Sequence, residues 1–225
     1  MAPGANGHGK QQRSLATREQ LVDAARRIFA RDGFELARLE DIAAAAGKTR
    51  GAFYAHFRDK EDAFFAIFEE DKARDRAQIG LRLGDATSRQ ERIEVLARYL
   101  ATLLKDRRRM LLNLEFKMYA IRHPHKQKRL ADLQVAMCTG CGDTNIDHLL
   151  PELGQSDPAF RRAQSAQFSA LIDGLALNRL FDTASLDPEL LLRHLRAGLD
   201  LILEQPDPQA DLQRSQASLK ISKKR

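Results

Sequence analysis

Only two cysteines, Cys138 and Cys141, occur among the 225 residues, so no disulfide framework is available and a reducing compartment is expected. Long apolar runs are missing too: no window nears the roughly 20 uncharged apolar residues of a membrane span. The opening MAPGANGHGKQQRS lacks the apolar core of a signal peptide, so a cytoplasmic protein without membrane contact is expected. Strand signals are nearly absent, because β-branched or aromatic alternation between turn dipeptides does not occur. There is no internal repeat of fixed period. Neither a nucleophile–base arrangement nor a phosphate-cradling glycine loop appears, and no cofactor is called for; an enzyme, including a helix-bundle enzyme, is not expected.

What is present is a folding composition. Hydrophobic residues make up 43% and charged residues 30%, enough apolar material for a real core in one or two domains. Lys and Arg number 37 against 31 Asp and Glu, a formal net charge of +6 that admits a polyanionic partner. Long segments repeat apolar residues at i, i+3, i+4 and i+7, which predicts an all-α protein. Residues 1–13 read as a disordered basic arm and 205–225 as a disordered basic tail carrying Lys220, Lys223, Lys224 and Arg225.

Local signals place the helices between these ends. Thr17-Arg18-Glu19-Gln20 has capping-box spacing and predicts a first helix from Thr17, with Leu21, Ala24, Ala25, Ile28 and Phe29 on one face and a stop at Asp32-Gly33. A short helix over about 39–46, a Gly47-Lys48 turn and a second short helix over about 49–57 form a helix-turn-helix signature. Asp59 predicts the cap of a helix running from Lys60 to about Leu83. Ser88 to Glu91 is another capping box, and helices near 107–122 and 125–137 follow, the former apolar almost all round and so placed at the centre of a bundle. Asp157-Pro158 and Asp187-Pro188 open helices of about 158–181 and 188–203.

Residues 17–68 resemble the DNA-binding domain of the tetracycline-repressor (TetR) family of bacterial regulators. The resemblance rests on Ala24-Ala25, Phe29, Gly33-Phe34, Asp41-Ile42-Ala43, Ala46-Gly47, Gly51, Tyr54, His56-Phe57 and Lys60, and above all on the run GKTRGAFYAHFRDKED. It implies an N-terminal three-helix helix-turn-helix domain over 14–60 and a ligand-binding and dimerisation bundle over 61–204. Its further implications are a double-stranded DNA operator, a small-molecule effector, and a homodimer through the last two long helices. The chain departs from the family pattern at Lys48, where an apolar residue is usual, and at Ala37 and Ala52, where threonine is usual.

The residues themselves fit that task. Thr49, Arg50 and Ala52 occupy the first turn of the recognition helix, where side chains meet base edges, and the guanidinium fork of Arg50 matches the O6 and N7 acceptors of guanine. Gly51 leaves the backbone uncovered, and Ala52 suits a thymine methyl. Tyr54 and His56 are placed for phosphates, as is Lys60, while Lys48 suits a phosphate or a base contact. Phe29, Ile42, Phe53 and Phe57 read as core.

For the effector, the candidates are Phe68, Leu100, Leu104, Met110, Leu114, Met118, Phe160 and Phe168, with Glu115, Tyr119, Asp173 and Asn178 as polar anchors. Glu115 and Tyr119 lie four apart, so one pocket can hold both. Leu191, Leu195, Leu199 and Ile202 form the stripe expected at the dimer interface, some of it facing the chain's own core. Cys138 and Cys141 have C-x-x-C spacing with His148 downstream, but a second ligand pair is missing and no metal site is assigned. The expected function is a repressor released by its effector. Two alternatives stay open: a thiol- or metal-responsive regulator on the same scaffold, and a helical ligand-binding protein without specific DNA binding.

Overall fold

The structure, a computed structural model, describes residues 5–139 and 158–203. Every regular element among them is helical: α1 (Ala5–Asp32), α2 (Leu39–Ala45), α3 (Arg50–Tyr54), α4 (Lys60–Leu83), α5 (Arg89–Leu103), α6 (Arg107–Arg122), α7 (Pro124–Thr139), α8 (Pro158–Phe181) and α9 (Pro188–Ile202).

Most of the local signals act as read. The Asp59 side chain accepts from the Asp62 N–H at the start of α4, Ser88 and Glu91 close a reciprocal capping box on α5, and Asp187 accepts from Glu189 and Leu190 ahead of α9. Asp106 caps α6 in the same way, a cap the sequence reading passed over.

The start of α1 is a correction. Residues 5–13 are helical rather than a disordered arm, and the Thr17 hydroxyl donates to the Arg13 carbonyl inside the helix instead of capping it. Helix nucleation is costly and propagation cheap, so a helix nucleated by buried Leu21–Phe29 extends upstream through the strong helix formers Ala16, Arg13, Gln12, Gln11 and Lys10. The tail over 205–225 lies outside the described residues, as do Cys141 and His148.

Two apolar clusters organise the molecule. The first joins α1, α2, α3 and the first half of α4 to Leu112, Phe116 and Tyr119 of α6 and Leu130 of α7. The second joins Leu83, α5 and Met110 to Leu175 and Ala176 of α8 and to Leu191, Leu195, Leu199 and Leu203. α6 belongs to both, as its nearly all-round apolar character predicts.

Between the clusters lies a buried ionic network. Arg26 of α1 donates two hydrogen bonds to Asp71 of α4, at 2.8 and 2.7 Å, and Arg74 adds one at 3.2 Å. Arg109 of α6 pairs with Asp75, which also accepts from the Tyr99 hydroxyl of α5 at 2.6 Å. Asp71 is only 4% exposed. Burial, followed by the hydrogen bond to Asp75, holds the Tyr99 hydroxyl well above its ordinary pKa. Nothing in sequence periodicity announced this network, although Asp71 and Asp75 interrupt α4 on one face four residues apart.

Candidate nucleic-acid interface

A three-helix head presents α3 to solvent. Gly47, at φ +65°, makes the turn after α2, a left-handed conformation that glycine adopts without steric cost. The Gly47 and Lys48 N–H groups bond back to the Ala44 and Ala43 carbonyls, which tightens the turn. Phe53 is fully buried and Phe57 nearly so, their rings 5.4 Å apart, and together they fix the inner side of α3.

The outer side carries the residues singled out for DNA. Thr49 caps α3, its oxygen accepting from the Ala52 N–H at 3.2 Å, which leaves its hydroxyl proton free to donate. Arg50, Gly51 and Tyr54 are exposed, while Lys48, Ala52 and His56 are half-buried. A Cβ on Gly51 would meet nothing nearer than the Thr49 hydroxyl at 3.8 Å, so the close backbone approach depends on what lies outside the protein.

Arg50 is not idle in the free chain. It pairs with Glu40 of α2 at 3.1 Å, donates to the Tyr54 hydroxyl at 3.4 Å and lies 5.6 Å over the Tyr54 ring. The Tyr54 hydrogen bond, then the charges of Tyr54 and Glu40, raise its pKa further. The Glu40 tether was not foreseen; its sequence signal is an acidic residue in the first turn of α2.

Lys60 has a task beyond the one expected. Its ammonium donates to the Glu35 and Ala37 carbonyls, each at 3.0 Å, and sits 4.7 Å from the Phe34 ring centre. It therefore holds the α1–α2 connection, and burial lowers its pKa. One N–H remains for another acceptor.

The effector candidates do not meet in one place. Phe68 stacks against Phe64 and Phe116 in the first cluster, whereas Leu100, Leu104, Met110 and Phe168 belong to the second. Leu114 is half-buried, Met118 is 41% exposed, and Asn178 is exposed and donates to the Gly174 carbonyl of its own helix. Asn178 and Met118 therefore do not anchor an enclosed pocket. Phe160 lies on α8, its side chain outside the described residues, as is that of Cys138 on α7.

Glu115 and Tyr119 share a face of α6, but that face meets the reading head rather than a pocket. A Glu115 oxygen accepts from the Phe34 N–H at 3.1 Å and lies against Gly33, whose φ is +77°. The Tyr119 hydroxyl donates to Glu61 at the start of α4, Lys126 donates to the same carboxylate at 2.5 Å, and the Tyr119 and Phe34 rings are 4.5 Å apart. Burial raises the Glu61 pKa, but hydrogen bonds from Lys126 and Tyr119 outweigh it and leave the carboxyl below its ordinary range. Periodicity finds a face; it does not reveal what the face touches.

Asp173 does sit among polar groups between α6 and α8. It accepts from Asn113 at 3.0 Å and pairs with Lys117, which also donates to Ser169. Asn113 and Lys117 were missed, though each lies one helical turn from the other on α6. A surface cleft of about 500 Å³ opens between α5 and α9, lined by Gln90, Glu91, Ile93, Glu94, Arg196, Ala197 and Asp200. None of the expected effector residues lines it, and its charged groups are satisfied internally: Glu94 by Arg98 and Arg196, and Asp200 by Arg89.

Residues 21–67, which include this head, match the family described as bacterial regulatory proteins, tetR family, and residues 88–204 match BetI-type transcriptional repressor, C-terminal. The chain belongs to the tetR family. The HTH-type transcriptional regulator AcrR of Shigella flexneri is 36% identical over 113 residues, covering 47% of this chain and 51% of that protein. The HTH-type transcriptional repressor AcnR of Corynebacterium glutamicum is 45% identical over 58 residues, 26% of this chain and 31% of that protein. The chain thus spans about half the length of the first relative and about a third of the second. In fold, it is similar to the transcriptional regulator FadR of Bacillus subtilis, solved in complex with stearoyl-CoA, with TM-score 0.58 and 17% identity over 83% of this chain and 97% of that one. A TetR family regulator of Pseudomonas syringae gives TM-score 0.54 and 23% identity over 83% and 94%. As a tetR-family chain it has the fold class the sequence predicted, a helix-turn-helix head on a helical bundle.

Proposed function

We propose that this chain is a transcriptional repressor that holds a pseudo-palindromic DNA operator as a homodimer and releases it when a small molecule enters the bundle. It acts in the cytoplasm, by binding and not by turnover. The observation that carries the reading is α3 itself: a short helix fixed from behind by buried Phe53, with Thr49, Arg50, Gly51 and Tyr54 turned to solvent. Such a helix enters a major groove with its first turn at base edges.

In this reading Arg50 exchanges its exposed Glu40 partner for a guanine edge, while Thr49, Tyr54, His56 and Lys48 set register on phosphates. Lys60 keeps the head in shape and offers its remaining N–H. The dimer forms through α8 and α9, but through a different face from the stripe singled out earlier. Leu191, Leu195, Leu199 and Ile202 are all buried within one chain. Phe181 at 90% exposure, Leu201 at 65% and Leu177 at 56% are the apolar residues that a second copy would cover. An effector would enter the second cluster between α5, α6, α8 and α9, and its polar group would compete with the Lys117–Asp173 pair.

The test is Arg50→Ala on a duplex selected from a random pool by the wild-type chain and on a scrambled duplex. Loss of a bidentate guanine contact should weaken the selected duplex about 5- to 150-fold for each of its two half-sites and leave the scrambled one nearly unchanged. Equal losses on both would remove Arg50 from base reading.

A further inference from the structure

An acidic side chain stands at the tip of the recognition helix. Glu40 lies in the first turn of α2, and its one ion-pair partner among the described residues is Arg50, at 3.1 Å. The two side chains are 56% and 62% exposed, and an ion pair in that setting contributes little to stability. It does leave a carboxylate and a guanidinium side by side at the start of the helix that faces solvent.

The fold holds the two groups together. Ile42 and Ala43 on α2 and Phe53 on α3 are buried, and the tight turn at Gly47 joins the two helices. A groove edge that reaches the tip of Arg50 therefore comes within contact distance of Glu40.

The chemistry of the pair matches one base pair. Guanine presents two acceptors to the major groove, N7 and O6, and the N4 amino donor of its cytosine stands beside O6. O6 and N4 are joined by an ordinary hydrogen bond, so they lie about 2.9 Å apart. That is close to the 3.1 Å between Arg50 and Glu40. A donor fork followed by an acceptor thus meets two acceptors followed by a donor. Against phosphates alone the carboxylate would find no donor and would be repelled.

Resting on the DNA-binding reading above, we propose that Glu40 is a second base-reading residue: as Arg50 moves onto guanine, the released carboxylate accepts from the N4 amino group of the paired cytosine. Cytosine is then read directly and not only through its guanine. The reading surface extends from α3 to the first turn of α2.

The experiment uses the full chain and the pool-selected duplex. Arg50→Ala first locates the guanine, as the position in each half-site where base preference relaxes. At that pair either cytosine is replaced by pyrimidin-2-one, which lacks the 4-amino group, or guanine by 7-deazaguanine, which lacks the N7 acceptor, and dissociation constants are measured. Loss of the amino group should weaken wild type about 5-fold or more per half-site, the cost of a mismatched pair, and Glu40→Ala by less than about 2-fold. The weaker pairing of the altered duplex is common to both proteins and cancels in the comparison. 7-Deazaguanine should weaken both proteins alike, because Arg50 reads guanine with or without Glu40. Glu40 is exposed, so a wild-type unfolding midpoint checks that the variant is folded. A wild-type chain indifferent to the amino loss, or a Glu40→Ala chain as sensitive to it as wild type, would overturn the proposal. So would a Glu40→Ala chain that lost its response to 7-deazaguanine as well, since Glu40 would then act only by positioning Arg50. An Arg50→Ala chain with unrelaxed preference would leave Glu40 no guanine to stand beside and would overturn it too. A wild-type chain that selects no duplex over the unselected pool would instead overturn the DNA-binding reading on which it rests.

Discussion

Replacing Glu115 by alanine should loosen the joint between the reading head and the bundle. Its carboxylate accepts from the Phe34 N–H across 81 positions of sequence, at 3.1 Å, in a half-buried setting. A hydrogen bond to a charged group contributes about 1.5–3 kcal/mol, and Glu115→Ala leaves the Phe34 donor without this acceptor. For a chain of this length each kcal/mol moves the unfolding midpoint by about 2–4 °C, so a drop of about 3–12 °C is expected. Glu115→Gln keeps an acceptor oxygen and should lose less. Gly33→Ala provides an independent probe of the same joint: at φ +77° any side chain is strained by about 1–2 kcal/mol. The new Cβ would also stand 3.4 Å from a Glu115 oxygen. Thermal unfolding at one fixed protein concentration is the measurement, because the proposed dimerisation would make the midpoint concentration-dependent. A Glu115→Ala chain as stable as wild type would refute the joint. Loss of effector binding with stability intact would return Glu115 to the anchor role that its sequence position suggested.

Asp71→Ala should cost about 3–5 kcal/mol in urea unfolding by leaving Arg26 buried without its main partner, and Arg26→Met/Asp71→Leu should recover most of it. Glu61 is held below the ordinary carboxylate range, so its contribution is complete above that range and is lost as pH falls through the depressed value. Stability of wild type and Glu61→Gln, measured from pH 7 to pH 3, should therefore converge toward acid; a constant gap would contradict the assignment. Phe181→Glu/Leu201→Glu should yield folded monomers by sedimentation, because both residues are exposed in one chain, whereas Leu195→Glu should unfold the chain through an unpaired charge in its core. A folded dimer from the first variant would move the interface elsewhere.

How much of this was legible from sequence depends on whether the physics is local. Caps at Asp59, Ser88 and Asp187 involve residues within four positions, and their helices begin where those signals place them. The start of α1 was misjudged because Thr17 carries a cap signal that a continuing helix overrides: a hydroxyl can bond back to the carbonyl four residues earlier as well as forward. The turn at Gly47 and the buried Phe53 behind α3 follow from short-range pattern, so the reading surface was visible. The partners of Lys60 and Glu115 were not, since they lie 23–25 and 81 residues away. An apolar helix such as α6 is the hardest case. Its periodicity announces burial on every side without saying which neighbour takes which side.

Once resolved, that ambiguity suggests a physical route by which the proposed effector would act on the proposed operator. Asn113 and Lys117 face α8 through Asp173, while Glu115 and Tyr119 face the reading head through Phe34 and Glu61. Two residues along an α-helix turn by about 200°, so the two pairs project from nearly opposite faces of α6. A helix with bonded partners on both sides shifts as a unit more readily than it bends. On the function proposed above, a molecule that opened the Lys117–Asp173 pair would shift Glu115 against Gly33 and Phe34, which lead from α1 toward α2. Arg109, near the start of the same helix, is tied to Asp75 in the middle of α4, whose first residues carry Glu61 and Lys60. Helix α6 is thereby linked to α4, which among the described residues runs from the head into the bundle. Coupling of this kind requires no contact between effector and DNA, only a difference in effector affinity between two positions of α6.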